Sequence, residues 1–389
     1  MDWRNIVKIE NDAIKVPSRW LHLHYYEALN ILFRVENSLR MLVYVALKNQ
    51  YKNQWGLTSL PSDDGDTSIS AIANKRKSQA ATFGYLGYPV TSPLMYLTTG
   101  ELTRVIEKYW DIFRPYFVGG KEIVSMKLAE IISVRNAFAH FRPIKSDDVE
   151  TIKQVSKHVL GPAEIALAEM LACNKTVPTN SDEKWYTHLK IINSEHVTLR
   201  FLQSSDEKWV TIELEYSPPV IDKGTYGGTK FIESMKLHTP AILLEYVQLA
   251  SNLTYATESS YGFTDPGSQK DKCEKDIHLC FYRKTLQNDH AVVQAEITAL
   301  LLKIEEETEL IKEDNLARGK LISSVSLTGK VEKWCMYDIT AMKSGMREDD
   351  PAEWWGDMRL FAPDLISATH TFPWMPTDIA GIQGLAPGE

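Results

Sequence analysis

The segment ISVRNAFAHFRP, residues 132–143, carries Arg135, Asn136 and His140 at the end of an otherwise apolar run. Each type has a use in breaking a phosphodiester next to a ribose. Histidine titrates near neutrality, so it can take the proton from a 2′-hydroxyl or return one to the leaving oxygen. Arginine keeps its charge and presents a planar fork that matches phosphate oxygens, which suits a phosphorane-like transition state. Asparagine can orient either partner. With the nucleophile built into the substrate, this chemistry calls for no metal and no cofactor, and it leaves 2′,3′-cyclic phosphate ends.

Geometry constrains the idea. If the segment is helical, five residues of helix turn through about 500°, so Arg135 and His140 point about 140° apart. Asn136 and His140 share a face, and Ser133 joins them. Either the helix unwinds near Ala139 or a second copy of the chain supplies the missing group, and the second is the expectation here.

The elements around the segment read as helices over residues 1 to about 175. Leu29, Leu32, Phe33, Leu39, Val43, Ala46 and Leu47 recur at three- and four-residue spacing, which predicts a long helix from Trp20 to Asn49. Residues 51–65 break it, a weaker helix spans Ser70–Thr82, and GYLGYPVTSP is a connector. Thr98 and Glu101 form a capping box for a helix reaching Phe113, before Pro115. Gly119 and Gly120 precede the helix Lys121–Ala139, which Pro143 must stop. Asp147 and Glu150 form a second capping box, opening a helix that bends at Gly161 and Pro162 and ends near Ala172.

After VPTNSDEK the period changes. WYTHLKII, HVTLRFL and KWVTIELEY are expected as strands, followed by a helix from Ile232 to Leu253, a strand DIHLCFYR, a long helix from Asp289 to Lys312 and strands within Val325–Tyr337. From Arg347 onward an irregular segment is expected to pack through Trp354, Trp355 and Trp374. The class is therefore α+β, an all-α bundle over 1–175 followed by an acidic α+β domain over 176–389 that senses or regulates.

Charge follows the same division. Residues 1–175 hold 22 Lys and Arg against 18 Asp and Glu, a balance of +4, while residues 176–389 hold 21 against 33, a balance of -12. The total of -8 argues against a protein that coats nucleic acid by long-range attraction, and makes the first half the one to meet a phosphate. The opening MDWRNIVKIEND has no secretory pattern, no run approaches a bilayer span, and four cysteines are too few for a disulfide framework. A cytoplasmic protein without membrane contact is expected.

At these residues the chain resembles the HEPN superfamily of helical nucleotide-binding and ribonuclease domains. The family mark, Arg, a polar residue, three to five positions and then His, is met by Arg135, Asn136 and His140. The first helix is similar too, with Glu36 set in an apolar face of ALNILFRVENSLRMLVYVALKNQYKNQW. The resemblance covers roughly residues 1–175. It implies a metal-independent endoribonuclease acting on RNA as a toxin or anti-phage effector, homodimeric through the N-terminal bundle, with room for a protein trigger or inhibitor. Glu36 and Arg40 would support Arg135 or His140. Arg142 stands where some toxins of this type carry a Tyr that an antitoxin modifies.

Plainer alternatives stand beside these readings. Arg135 can be a surface Arg and His140 a helix-terminal His stabilised by the dipole, in which case the domain is a non-catalytic HEPN scaffold for a protein or nucleotide. Glu36 and Arg40 are also an ordinary intrahelical pair. Cys273, His278 and Cys280 lack standard zinc spacing, and alternation along a strand explains the last two. GTYGGTK, 224–230, reads as a turn rather than a phosphate loop, and Glu305–Glu309 as a solvated helix face.

Overall fold

The computed structural model describes residues 8–10, 13–15, 25–61, 65–82, 93–171, 177–264, 270–313, 319–330, 338–343 and 354–355. They form two compact units that part between Met170 and Leu171, and the fold is α+β.

The first unit opens with a short antiparallel pair, β1 (Lys8–Glu10) and β2 (Ala13–Lys15). Helix α1 (Tyr25–Tyr51) is its axis, because one face offers Ala28, Ile31, Leu32, Val35, Leu39, Leu42, Val43 and Ala46 for burial. After β3 (Ser59–Leu60) and β4 (Thr67–Ser68) come α2 (Ile69–Thr82), α3 (Thr99–Lys108) and α4 (Trp110–Phe113). The Thr98–Glu101 capping box is formed, and Tyr109 interrupts the helix predicted to run through to Phe113. Helices α5 (Lys121–Ala139), α6 (Ser146–His158) and α7 (Gly161–Met170) complete the unit, and α3, α5, α6 and α7 all pack on α1.

Two local expectations are corrected here. Helix α6 begins at Ser146, one position before the predicted cap, and Asp148 rather than Glu150 closes its first turn by accepting the Lys145 N–H at 2.7 Å. Gly161 and Pro162 do not bend one helix but open a new one, since proline is tolerated in a first turn.

The second unit starts with α8 (Lys184–Leu189), where a strand was expected. Trp185, Tyr186 and Leu189 are buried, and their spacing of one and then three residues belongs to a helical face. Strands β5 (Val197–Gln203) and β6 (Trp209–Tyr216) follow as predicted, then the hairpin of β7 (Ile221–Tyr226) and β8 (Thr229–Leu237). The predicted helix Ile232–Leu253 is overturned: its first third is β8, and the rest is two short helices, α9 (Thr239–Glu245) and α10 (Val247–Asn252). Pro240, tolerable in the first turn of α9, would have broken a continuous helix. Of GTYGGTK, Gly227 and Gly228 form the turn of this hairpin, at φ 59° and 80°, while the residues on either side belong to β7 and β8.

Strand β9 (Tyr255–Thr264) escapes sequence reading, β10 (Asp271–Tyr282) matches it, and α11 (Arg283–Glu313) begins earlier than predicted, with non-helical geometry at Asp289, the expected start. β11 (Ile322–Lys330) and β12 (Asp338–Lys343) come last; residues 331–337 lie outside the described set. An antiparallel five-stranded sheet has the order β12–β9–β10–β6–β5, and a three-stranded one the order β11–β8–β7. Phe201, Ile212, Leu214, Ile277, Leu279 and Phe281 form one core with Leu286, Val293, Ile297 and Ile304 of α11. Trp354 bridges to Ser204 and the Trp355 N–H donates to Gln203 O at 2.9 Å, while Trp374 lies outside the described residues. No described helix is long and apolar enough to cross a membrane.

Candidate active site at the end of helix α5

Helix α5 stays regular through Ala139, so it does not unwind to join Arg135 with His140. Arg135 turns toward α1, where its Nε lies 3.4 Å from Glu36 Oε2. The other Glu36 oxygen takes a hydrogen bond from Arg40 Nη2, and Thr99 Oγ1 donates to Oε2. Arg40 is further fixed by Asn37 Oδ1 at 3.0 Å and Leu97 O at 3.1 Å. Burial holds the Arg40 guanidinium below its ordinary range, with nearby Arg135 adding to the fall and Glu36 opposing it. One carboxylate thus faces two guanidinium groups. The Arg135 guanidinium makes no side-chain hydrogen bond among the described residues beyond this ion pair with Glu36.

Asn136 and His140 point about 100° and 140° away from Arg135, exposed, with no side-chain hydrogen bond among the described residues. His140 is the C-cap, its N–H donating to Asn136 O at 3.2 Å. The Phe141 N–H donates to Phe138 O and the Arg142 N–H to Ala137 O, both at 2.9 Å, which is a Schellman closure. That closure needs a left-handed residue after the cap, normally glycine. Phe141 takes the place at φ 53°, at a cost of roughly 1 kcal/mol or more.

The structure therefore brings Glu36, Arg40 and Arg135 together and leaves Asn136 and His140 apart from them. Thr99 is a member that sequence reasoning missed. The Thr98–Glu101 box places it on the first turn of α3, but no local signal joins it to Glu36, 63 residues away.

The exposed face of α5 has its own pattern. Met126, Ala129, Ser133, Asn136 and His140 recur at spacings of three and four, carry no formal charge apart from His140 when protonated, and fall within about 80° of arc, with exposed Glu122 on the same arc one turn before Met126. Such a seam suits contact with another helix.

The second unit holds other titratable groups. Cys273 and Cys280 are buried in β10 on opposite faces, His278 sharing the face of Cys280, and no group of three or more His, Cys, Asp or Glu is arranged for a metal among the described residues. Burial first, and the adjacent Glu213 and Glu215 next, push the Asp276 carboxyl from its ordinary 3.8 to about 6. The acidic run on α11 is not wholly solvated, since Glu307 is buried and accepts the N–H groups of Lys320, Leu321 and Ile322 at 3.0, 2.8 and 2.9 Å.

No protein family model, no curated protein and no solved structure matches this chain.

Proposed function

We propose that the chain is a metal-independent endoribonuclease of HEPN type, a toxin or anti-phage effector, working as a homodimer through its first unit. The observation that carries the reading is the state of Arg135: one third exposed, beside the Glu36 carboxylate with its Nε 3.4 Å away, on the helix that ends in exposed Asn136 and His140. The uncharged seam from Met126 to His140 supports the dimer, because a two-fold contact with its axis at the His140 end would set two histidines and two Asn136 side chains beside each other.

In that arrangement the ribose 2′-oxygen attacks the adjacent phosphorus as one His140 takes its proton. The phosphorane charge falls to Arg135, whose long side chain must swing from the Glu36 side of α5 toward the His140 end to meet it, and the second His140 protonates the departing 5′-oxygen. The products are a 2′,3′-cyclic phosphate and a 5′-hydroxyl. The acidic second unit would restrain or select the RNA, and cytoplasmic RNA would be the substrate.

The test is incubation of the purified protein with total RNA in EDTA, native against His140→Ala, with end-group analysis. Cleavage by the native protein alone, leaving cyclic ends, is expected. Activity that needs magnesium would overturn the mechanism. If both proteins leave RNA intact, a non-catalytic scaffold that binds a protein or nucleotide takes its place.

A further inference from the structure

The side chain of Phe141, unlike its backbone, has no role in folding that the structure reveals. The residue is 73% exposed, belongs to no hydrophobic core, and its ring stacks on no other described aromatic ring. It also occupies a left-handed position, φ 53°, that glycine would take without strain. A large apolar side chain is thus kept in water, in a backbone shape that disfavours it. Strain of this kind gathers where a ligand is met.

Its neighbours indicate which ligand. His140 precedes it and Arg142 follows it, both exposed and without side-chain partners among the described residues. A flat ring between two side chains able to carry positive charge is complementary to a nucleobase on a phosphate backbone: the ring offers a stacking face, and the cation a phosphate contact. The Schellman bonds at 2.9 Å fix the backbone at Phe141 and so the Cα–Cβ direction from which the ring projects, leaving its two χ angles to be ordered on binding.

We infer that Phe141 is the base-stacking platform for an unpaired nucleotide beside the scissile phosphate, with Arg142 holding the neighbouring phosphate. The inference rests on the ribonuclease reading and adds to it the residues that would grip the nucleotide beside the cut, a contact that needs an unpaired base because a paired one has no free face to offer.

The experiment measures binding in a His140→Ala background, so that RNA is not consumed. Two probes of equal length and charge are compared, oligouridylate and a ribose-phosphate oligomer without bases. The His140→Ala protein should bind oligouridylate about tenfold more tightly. Adding Phe141→Gly should erase that preference without lowering the melting temperature, and adding Phe141→Trp should retain it. An undiminished preference with Phe141→Gly overturns the stacking role. Loss of dimerisation with Phe141→Gly, the preference persisting, would assign the ring to a second copy of the chain instead. Native protein that cleaves RNA while the stacking test fails leaves the ribonuclease reading standing. Absence of binding to either probe together with absence of cleavage removes both.

Discussion

Glu36 is a carboxylate whose side chain is only 15% exposed, between Arg40 and Arg135. Replacing it by Gln keeps the shape and removes the charge, leaving two guanidinium groups facing each other. Glu36→Gln should lower stability by about 2 kcal/mol, less than for a fully buried pair, and weaken RNA cleavage. Denaturant unfolding and cleavage assays measure the two effects, and a variant equal to the native protein in both would remove Glu36 from the site. This position was legible because a carboxylate in an apolar helical face demands a cation, and two arginines were in reach. Thr99 was not legible, since its link to Glu36 depends on how α3 packs on α1. Asp276 makes a separate prediction. A carboxyl raised to about 6 binds its proton more readily folded than unfolded, so it opposes folding fully above pH 6, and the penalty fades as pH falls toward 3.8. Asp276→Asn should therefore gain about 1–3 kcal/mol at pH 7.5 and lose the advantage near pH 4. Thermal melts at the two pH values decide it, and an equal gain at both would show that ionisation is not the cause.

Among the elements, the long helices were readable and the short ones were not. Helix α1 spans more than seven turns, so its apolar stripe repeats often enough to leave no other reading. In α8, six residues carry too few repeats to separate helix from strand. Ile232 and Met235 mimic a helical step although both are buried in β8, because Ser234 and Met235 are buried side by side. The link from α11 to β11 shows an element held by one side chain. A Cβ on Gly319 would overlap the Glu307 carboxylate, which is locked by three backbone N–H groups. Gly319→Ala should cost about 2 kcal/mol by displacing that carboxylate from its donors. Hydrogen exchange at Leu321 and Ile322 is the direct measure, and unchanged protection there would contradict the account.

At the scale of the molecule, the α+β class was visible in the change of period near residue 177. The strand order was not visible. β9 is central to pairing in the five-stranded sheet, between β12 and β10, yet its sequence YATESSYGFT has no apolar alternation to announce it. The seam on α5 yields the prediction that belongs here. Ser133→Glu puts a charge at its middle without touching the core, so the purified variant should sediment as a monomer and lose RNA cleavage while keeping its melting temperature within a few degrees. A native protein that is monomeric at working concentration and still cleaves RNA would refute the composite site.

The second unit also has a fastening at its beginning. Thr179 Oγ1 donates to Glu207 Oε1 at 2.8 Å and Asn180 Nδ2 to Glu207 Oε2 at 3.1 Å, all three residues being buried. Glu207 lies on the tight turn between β5 and β6, so these bonds clamp the incoming chain to a rigid hairpin. Tension applied through residue 177 would load that clamp in shear before any β-ladder is peeled, and a single-molecule pulling trace should show its rupture as the first step, absent in Glu207→Ala.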